Sequence, residues 1–107
     1  VSYNVSLWKD DDICEVPSHT EGTVICLGGT QSAEMGVTYN YGKFFDFRGL
    51  DGLTGTESIP FLEEAVGKLG TKKDDSYWAS TPGNAGHACS VLLAWAQLHP
   101  DARWCVE

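Results

Sequence analysis

Positive charge is scarce in this chain. Lys and Arg together number 7, against 15 Asp and Glu, for a net charge of −8 over 107 residues. The basic residues are also scattered. The densest spot, Lys72-Lys73, runs directly into Asp74-Asp75. A nucleic-acid groove needs concentrated positive surface, so polymer binding is set aside. A small anion remains admissible, because backbone N–H groups hold anions without net positive charge. Long apolar runs are missing as well, and no stretch is long enough to span a membrane or has a signal-peptide pattern. None of the cysteines Cys14, Cys26, Cys89 and Cys105 forms a C-x-x-C pair. That spacing argues against zinc and against a compact disulfide framework. The expectation is a cytosolic chain with reduced, mostly buried thiols, no metal and no cofactor. A single Cys14–Cys26 disulfide is the competing reading.

Apolar and aromatic residues, by contrast, are plentiful. Hydrophobic content is 42% and aromatic content 11%, with four each of Trp, Tyr and Phe. These values fit a single folded domain over residues 1–107. Residues 2–8 alternate, with Tyr3, Val5 and Leu7 on one face, as a half-buried strand requires. Residues 9–12 end that strand, and 13–22, broken by Pro17 and Gly22, read as irregular. A second strand is expected over 23–29. A third is expected over 34–41, where Met35, Val37, Tyr39 and Tyr41 share a face. Residues 42–55 read as a loop with a short helical turn around Phe44 to Phe47.

A first helix follows. Thr54 and Glu57 have capping-box spacing, while Pro60 favours a later start with Thr56 or Ser58 as the cap. Its apolar stripe is Ile59, Leu62, Val66 and Leu69, closed by Gly70. A second helix over 82–98 has Thr81 as N-cap and Pro82 in its first position. It is apolar so far round that it must be buried on two sides or lie in a subunit interface, which raises a homo-oligomer through 82–98. Residues 102–107 form a last strand. The resulting fold class is α+β: a small antiparallel or mixed sheet, order β-β-β-α-α-β, with two helices packed on one face.

The start of the second helix, "TPGNAG", carries two glycines where a helix is weakened by them. Two explanations stay open. Another backbone lies close against it, or a ligand reaches the bare N–H groups. Close packing suits Gly86, whereas Gly83 and Asn84 sit where a phosphate or carboxylate can approach. Trp78 lies just before them, ready to stack on a planar ring. Asn40, unusual within a strand, reads as a polar group inside a site. Arg48 follows at a distance suited to pairing with an anion. The ligand-binding set is therefore Tyr39, Asn40, Tyr41, Phe44, Arg48, Trp78, Thr81, Gly83 and Asn84. Wet outer positions and core aromatics are the competing reading.

Catalysis is not expected. Cys89 and His87 are two apart on a helix and point in different directions. Cys14 and His19 share a loop with nothing resembling an oxyanion site, and the runs 10–12 and 74–75 read as solvated turns.

Thr38-Tyr39-Asn40-Tyr41, Gly52 to Gly55 and Trp78 to Asn84 resemble a group of small bacterial and phage proteins. That group has a T-[YS]-N-[YV] strand, a D-G-x-T-G lead into a helix, and a second helix opening with a G-N turn. The resemblance spans roughly the whole chain and implies a shared fold, without an assigned activity. In size, acidity and aromatic supply the chain is also similar in type to phage sponges that sequester nucleotide-derived immune signals. The leading expectation is thus a non-enzymatic, homodimeric binder of a small anionic nucleotide derivative, countering bacterial immune signalling. The alternative is an acidic protein-interaction module, an immunity or inhibitor protein with a basic partner.

Overall fold

The computed structural model describes residues 2–17, 30–76 and 79–107. The expected strand over 23–29, and with it Cys26, His19 and Trp78, lies outside the described residues.

The alternating stretch at the start becomes β1 (Ser2–Lys9), the centre of the sheet. Its turn comes at Asp10, whose φ of 55° is left-handed. Aspartate tolerates that region better than most residues. The chain returns as β2 (Asp12–Ile13), with Lys9 opposite Asp12. Beyond Cys14 it continues as β3 (Glu15–Pro17), paired antiparallel with β4 (Thr30–Ser32). The reading of 13–22 as irregular is therefore corrected up to Pro17. Cys14 and Ala33 mark where this outer ribbon leaves the main sheet. Leu7 N–H donates to Ala33 O at 3.0 Å, Cys14 N–H to Leu7 O at 2.9 Å, and Ala33 N–H to Cys14 O at 2.8 Å.

β5 (Glu34–Thr38) runs antiparallel to β1, and β6 (Arg103–Val106) lines β1's other side, also antiparallel. The register places Tyr3 opposite Val37, Val5 opposite Met35 and Val106, and Leu7 opposite Trp104. One face of the sheet is consequently apolar. It forms a single buried cluster with Leu62 and Ala65 of the first helix, and Ala85, Ala88, Leu92, Trp95 and Ala96 of the second. The α+β class, an antiparallel sheet with two helices, holds.

β5 stops three residues earlier than the alternation suggests. The Thr38 hydroxyl accepts from Asn40 N–H at 3.3 Å, and Gly42 N–H donates to Tyr39 O at 3.0 Å. These bonds wind Tyr39–Tyr41 into a 3-10 turn. Tyr39 and Tyr41 therefore do not share a face: Tyr39 is 45% exposed and Tyr41 is 0% exposed. A second 3-10 turn, Phe47–Leu50, is capped by Asp46, which accepts from Gly49 N–H at 3.2 Å.

α1 (Gly55–Leu69) starts at the earlier of the expected positions. Both arms of the capping box form: Glu57 N–H to the Thr54 hydroxyl at 3.1 Å, and Thr54 N–H to Glu57 Oε1 at 2.9 Å. Pro60 sits inside the helix, exposed. The start is held elsewhere. Gly55 N–H donates to Ala102 O at 2.8 Å, and a Cβ on Gly55 would lie 2.7 Å from His99 O. The residues just before it track β6: Gly52 N–H reaches Trp104 O at 2.9 Å, and Trp104 N–H reaches Leu53 O at 2.9 Å. The D-G-x-T-G lead is thus a tight seam between the first helix and the last strand. Trp104 closes it by donating its indole N–H to buried Ser58 at 2.8 Å.

α2 (Pro82–Leu98) packs against α1 and joins the apolar cluster under the sheet. Its apolar positions, including Val91, Leu92 and Trp95, are buried within one chain. Of the two readings for its apolar circumference, burial on two sides is the one realised. Leu98 is its one large exposed apolar side chain, at 55%.

Candidate functional site

The two glycines of "TPGNAG" serve the same end. A Cβ on Gly86 would collide with the Gly70 carbonyl oxygen, and one on Gly83 with the Lys72 carbonyl oxygen. The connector leaving α1 therefore lies directly across the start of α2. Asn84, only 4% exposed, secures it. Its Oδ1 accepts from Asp74 N–H at 2.9 Å, and its Nδ2 donates to Ser76 O and Ala79 O, each at 3.0 Å. Thr81 caps the helix as expected, taking Asn84 N–H at 3.2 Å. The chain's own backbone lies where a Cβ on Gly83 would sit and engages the Asn84 side-chain amide. Close packing, assigned above to Gly86 alone, accounts for Gly83 and Asn84 too.

The other expected site residues separate into two places. Tyr39 meets the Tyr3 ring edge-on, centroids 4.6 Å apart, and the Arg48 guanidinium lies 5.9 Å from the Tyr3 ring centroid. Buried Phe47 supports Tyr3 from below at 6.0 Å. Two exposed members of the expected set, Tyr39 and Arg48, thus gather around Tyr3, which shares a face with Val5 and Leu7. Asn40 lies next to them, its carbonyl accepting the Ser80 hydroxyl at 2.9 Å. Tyr41 is interior. Phe44 faces elsewhere.

Phe44 belongs to a groove that was not foreseen. It runs between the 44–53 loop and α1 and consists of two adjoining hollows. One, of about 300 Å³, is lined by Phe45, Asp46, Gly49, Leu50, Leu53 and Phe61. The other, of about 200 Å³, is lined by Phe44, Phe45, Phe61, Glu64, Ala65, Lys68 and Leu69. Phe45 and Phe61 divide them. Phe45 is held edge-on against buried Phe47 at 4.9 Å, and the Lys43 ammonium sits 5.3 Å from the Phe44 ring centroid. Phe61 is 56% exposed. Its position was the available signal: it falls off the stripe of Ile59, Leu62, Val66 and Leu69, on the face shared with Glu64 and Lys68. An aromatic ring out of phase with the apolar stripe of its helix, beside other part-exposed apolar groups, marks a candidate contact surface.

Among the described residues the cysteines are held as thiols. Burial pushes Cys14 up and pushes Cys89 up to about 12. Cys105 is raised by desolvation and then by the Glu107 and Asp51 carboxylates. A nucleophilic or metal-binding cysteine needs the opposite shift. Cys14 is free rather than disulfide-bonded. Among the described residues no cluster of His, Cys, Asp and Glu is arranged to hold a metal, and no helix is long and apolar enough to cross a membrane. Comparison with protein-family models, with curated proteins and with solved structures finds no match for this chain.

Proposed function

We propose that this chain is a non-enzymatic, acidic protein-interaction module whose contact surface is the groove between the 44–53 loop and α1. One observation carries the reading. The larger hollow is apolar on every side except for a single carboxylate, Asp46. Such a site accepts an aliphatic or aromatic anchor and favours a cationic neighbour beside it. The net charge of −8 works in the same direction, steering a basic partner toward the surface. An anionic ligand gains nothing from Asp46. The raised thiols support a binding role over nucleophilic catalysis.

The test is selection of peptides from a random displayed library on the immobilised protein, with Phe61→Asp as the counter-target. The expected result is enrichment of a large apolar residue near Lys or Arg, with binding that weakens as salt rises and is lost on F61D. Peptides that bind F61D equally well, or no enrichment at all, would contradict the reading.

A second reading has its own observation, the Arg48 guanidinium over Tyr3 beside exposed Tyr39. On it, the chain sequesters a small planar anion such as a nucleotide derivative, as a phage sponge countering immune signalling would. Native mass spectrometry against a panel of cyclic and linear nucleotides separates the two. A bound nucleotide lost in both Tyr39→Ala and Arg48→Ala would favour the second reading, and no added mass would favour the first.

A further inference from the structure

We infer that the groove's occupant is a short amphipathic helix of a basic partner, lying antiparallel to α1. This rests on the protein-interaction reading and adds the shape, direction and anchor order of the partner segment. Three features argue for it.

Neither wall offers a strand edge. One wall is α1, and the other is the loop that ends in the Asp46-capped 3-10 turn. An extended peptide gains affinity by adding to an exposed edge, and here it has none to add to. A helix instead presents apolar side chains once per turn, and the groove is built to that rhythm. α1 contributes Phe61, Ala65 and Lys68, one turn apart, along two hollows in series.

The charges are ordered along the groove. Asp46 stands at the hollow beside Leu53, which leads into the start of α1. Lys68 stands at the hollow beside Leu69, where α1 ends, and Lys43 lies over Phe44 on that side. Glu64 lies with Lys68 in that hollow and tempers it. Helices favour acidic residues near their N-terminus and basic ones near their C-terminus. An occupant satisfies both itself and the groove when its acidic N-terminal turn faces Lys68 and its basic C-terminal turn faces Asp46. That direction is antiparallel to α1.

The hollows differ in size. The larger, by Asp46, takes an aromatic anchor toward the occupant's C-terminal end. The smaller, by Lys68, takes an aliphatic one toward its N-terminal end. The expected order along the segment is therefore acid, aliphatic anchor, aromatic anchor, base.

Three labelled peptides of about 14 residues, roughly 21 Å long when helical, test this. The first is lactam-stapled in the order just given. The second has the same composition and staple with the acidic and basic ends exchanged. The third is the first order with a central proline. Anisotropy titration should show the first binding about tenfold tighter than the second, the size expected from exchanging two exposed charge pairs. The preference should collapse in the Asp46→Asn, Lys68→Gln protein. Asparagine keeps an oxygen to accept the Gly49 N–H, so this substitution removes the charge and leaves the 3-10 cap. The proline peptide should bind weakest.

Equal binding of the first two, or equal binding of the proline peptide, overturns the inference. Should the library yield Phe61-dependent ligands that are extended or reversed in charge order, the interaction reading stands and the helix does not. If neither the library nor the stapled peptides give Phe61-dependent binding, both fail. Concentration-dependent dimerisation abolished by F61D would assign the groove to a second copy of the chain and overturn the partner helix.

Discussion

Small residues at the start of α2 lie against neighbouring backbone, and substitution measures what that contact is worth. Gly86→Ala and Gly83→Ala each place a methyl on a backbone carbonyl that cannot rotate away. Each should cost about 3 kcal/mol or more in urea unfolding, at or beyond the upper end of ordinary overpacking. Gly67→Ala is the control. Gly67 lies inside α1 and a Cβ there meets nothing within 4 Å. It should stabilise by roughly 0.5–1 kcal/mol, the helix-interior advantage of alanine over glycine. Asn84→Ala should lower stability by roughly 2–3 kcal/mol, from about 1 kcal/mol for each hydrogen bond to the connector. Glu57 carries a pH signature. Its carboxyl is held below its ordinary value of 4.5, first by the Thr54 backbone N–H and then by the Thr54 hydroxyl. A depressed carboxyl stabilises the fold above its unfolded value and loses that contribution as pH falls through the folded one. The Tm gap between wild type and Glu57→Ala should therefore be full at neutral pH and close below about pH 4.5.

At the scale of elements, what was legible followed a local rule. β1 and β6 were readable because their alternation is complete. Both helices were readable from Thr54, Thr81 and Pro82, whose capping chemistry is decided within one turn. The failures were non-local. Met35, Val37, Tyr39 and Tyr41 alternate as a strand does, yet β5 ends at Thr38, and the Thr38 hydroxyl and Tyr39 carbonyl coil the residues that follow. Pro60 suggested a late helix start, but the seam from Gly52 to Gly55 against β6 sets the early one. The close packing at Gly83 was missed for the same reason. Nothing in "TPGNAG" reveals that residues 70–76 come back across it. The groove was legible only at Phe61, an aromatic out of phase with its own helix. Phe61→Asp should leave Tm nearly unchanged, since the ring is more than half exposed, while abolishing peptide binding.

Taken whole, the molecule separates a quiet interior from a charged exterior. Its second helix is consumed by its own sheet and its partner helix, and Cys89 is sealed within that contact. With its pKa pushed up to about 12, Cys89 should resist iodoacetamide in the native protein at pH 8 and react only on unfolding. Labelling of Cys89 at the rate of an unfolded thiol would mean that the α2 packing described above is wrong. The exterior carries the net charge of −8 and, among the described residues, a groove that combines the exposed Phe61 ring with a carboxylate. The most direct test of the proposed role is therefore the library selection on wild-type protein against F61D. Enrichment of salt-sensitive peptides that pair a large apolar anchor with Lys or Arg, and that F61D does not retain, is the predicted result. Ligands retained equally by F61D, or acidic ones, would contradict it.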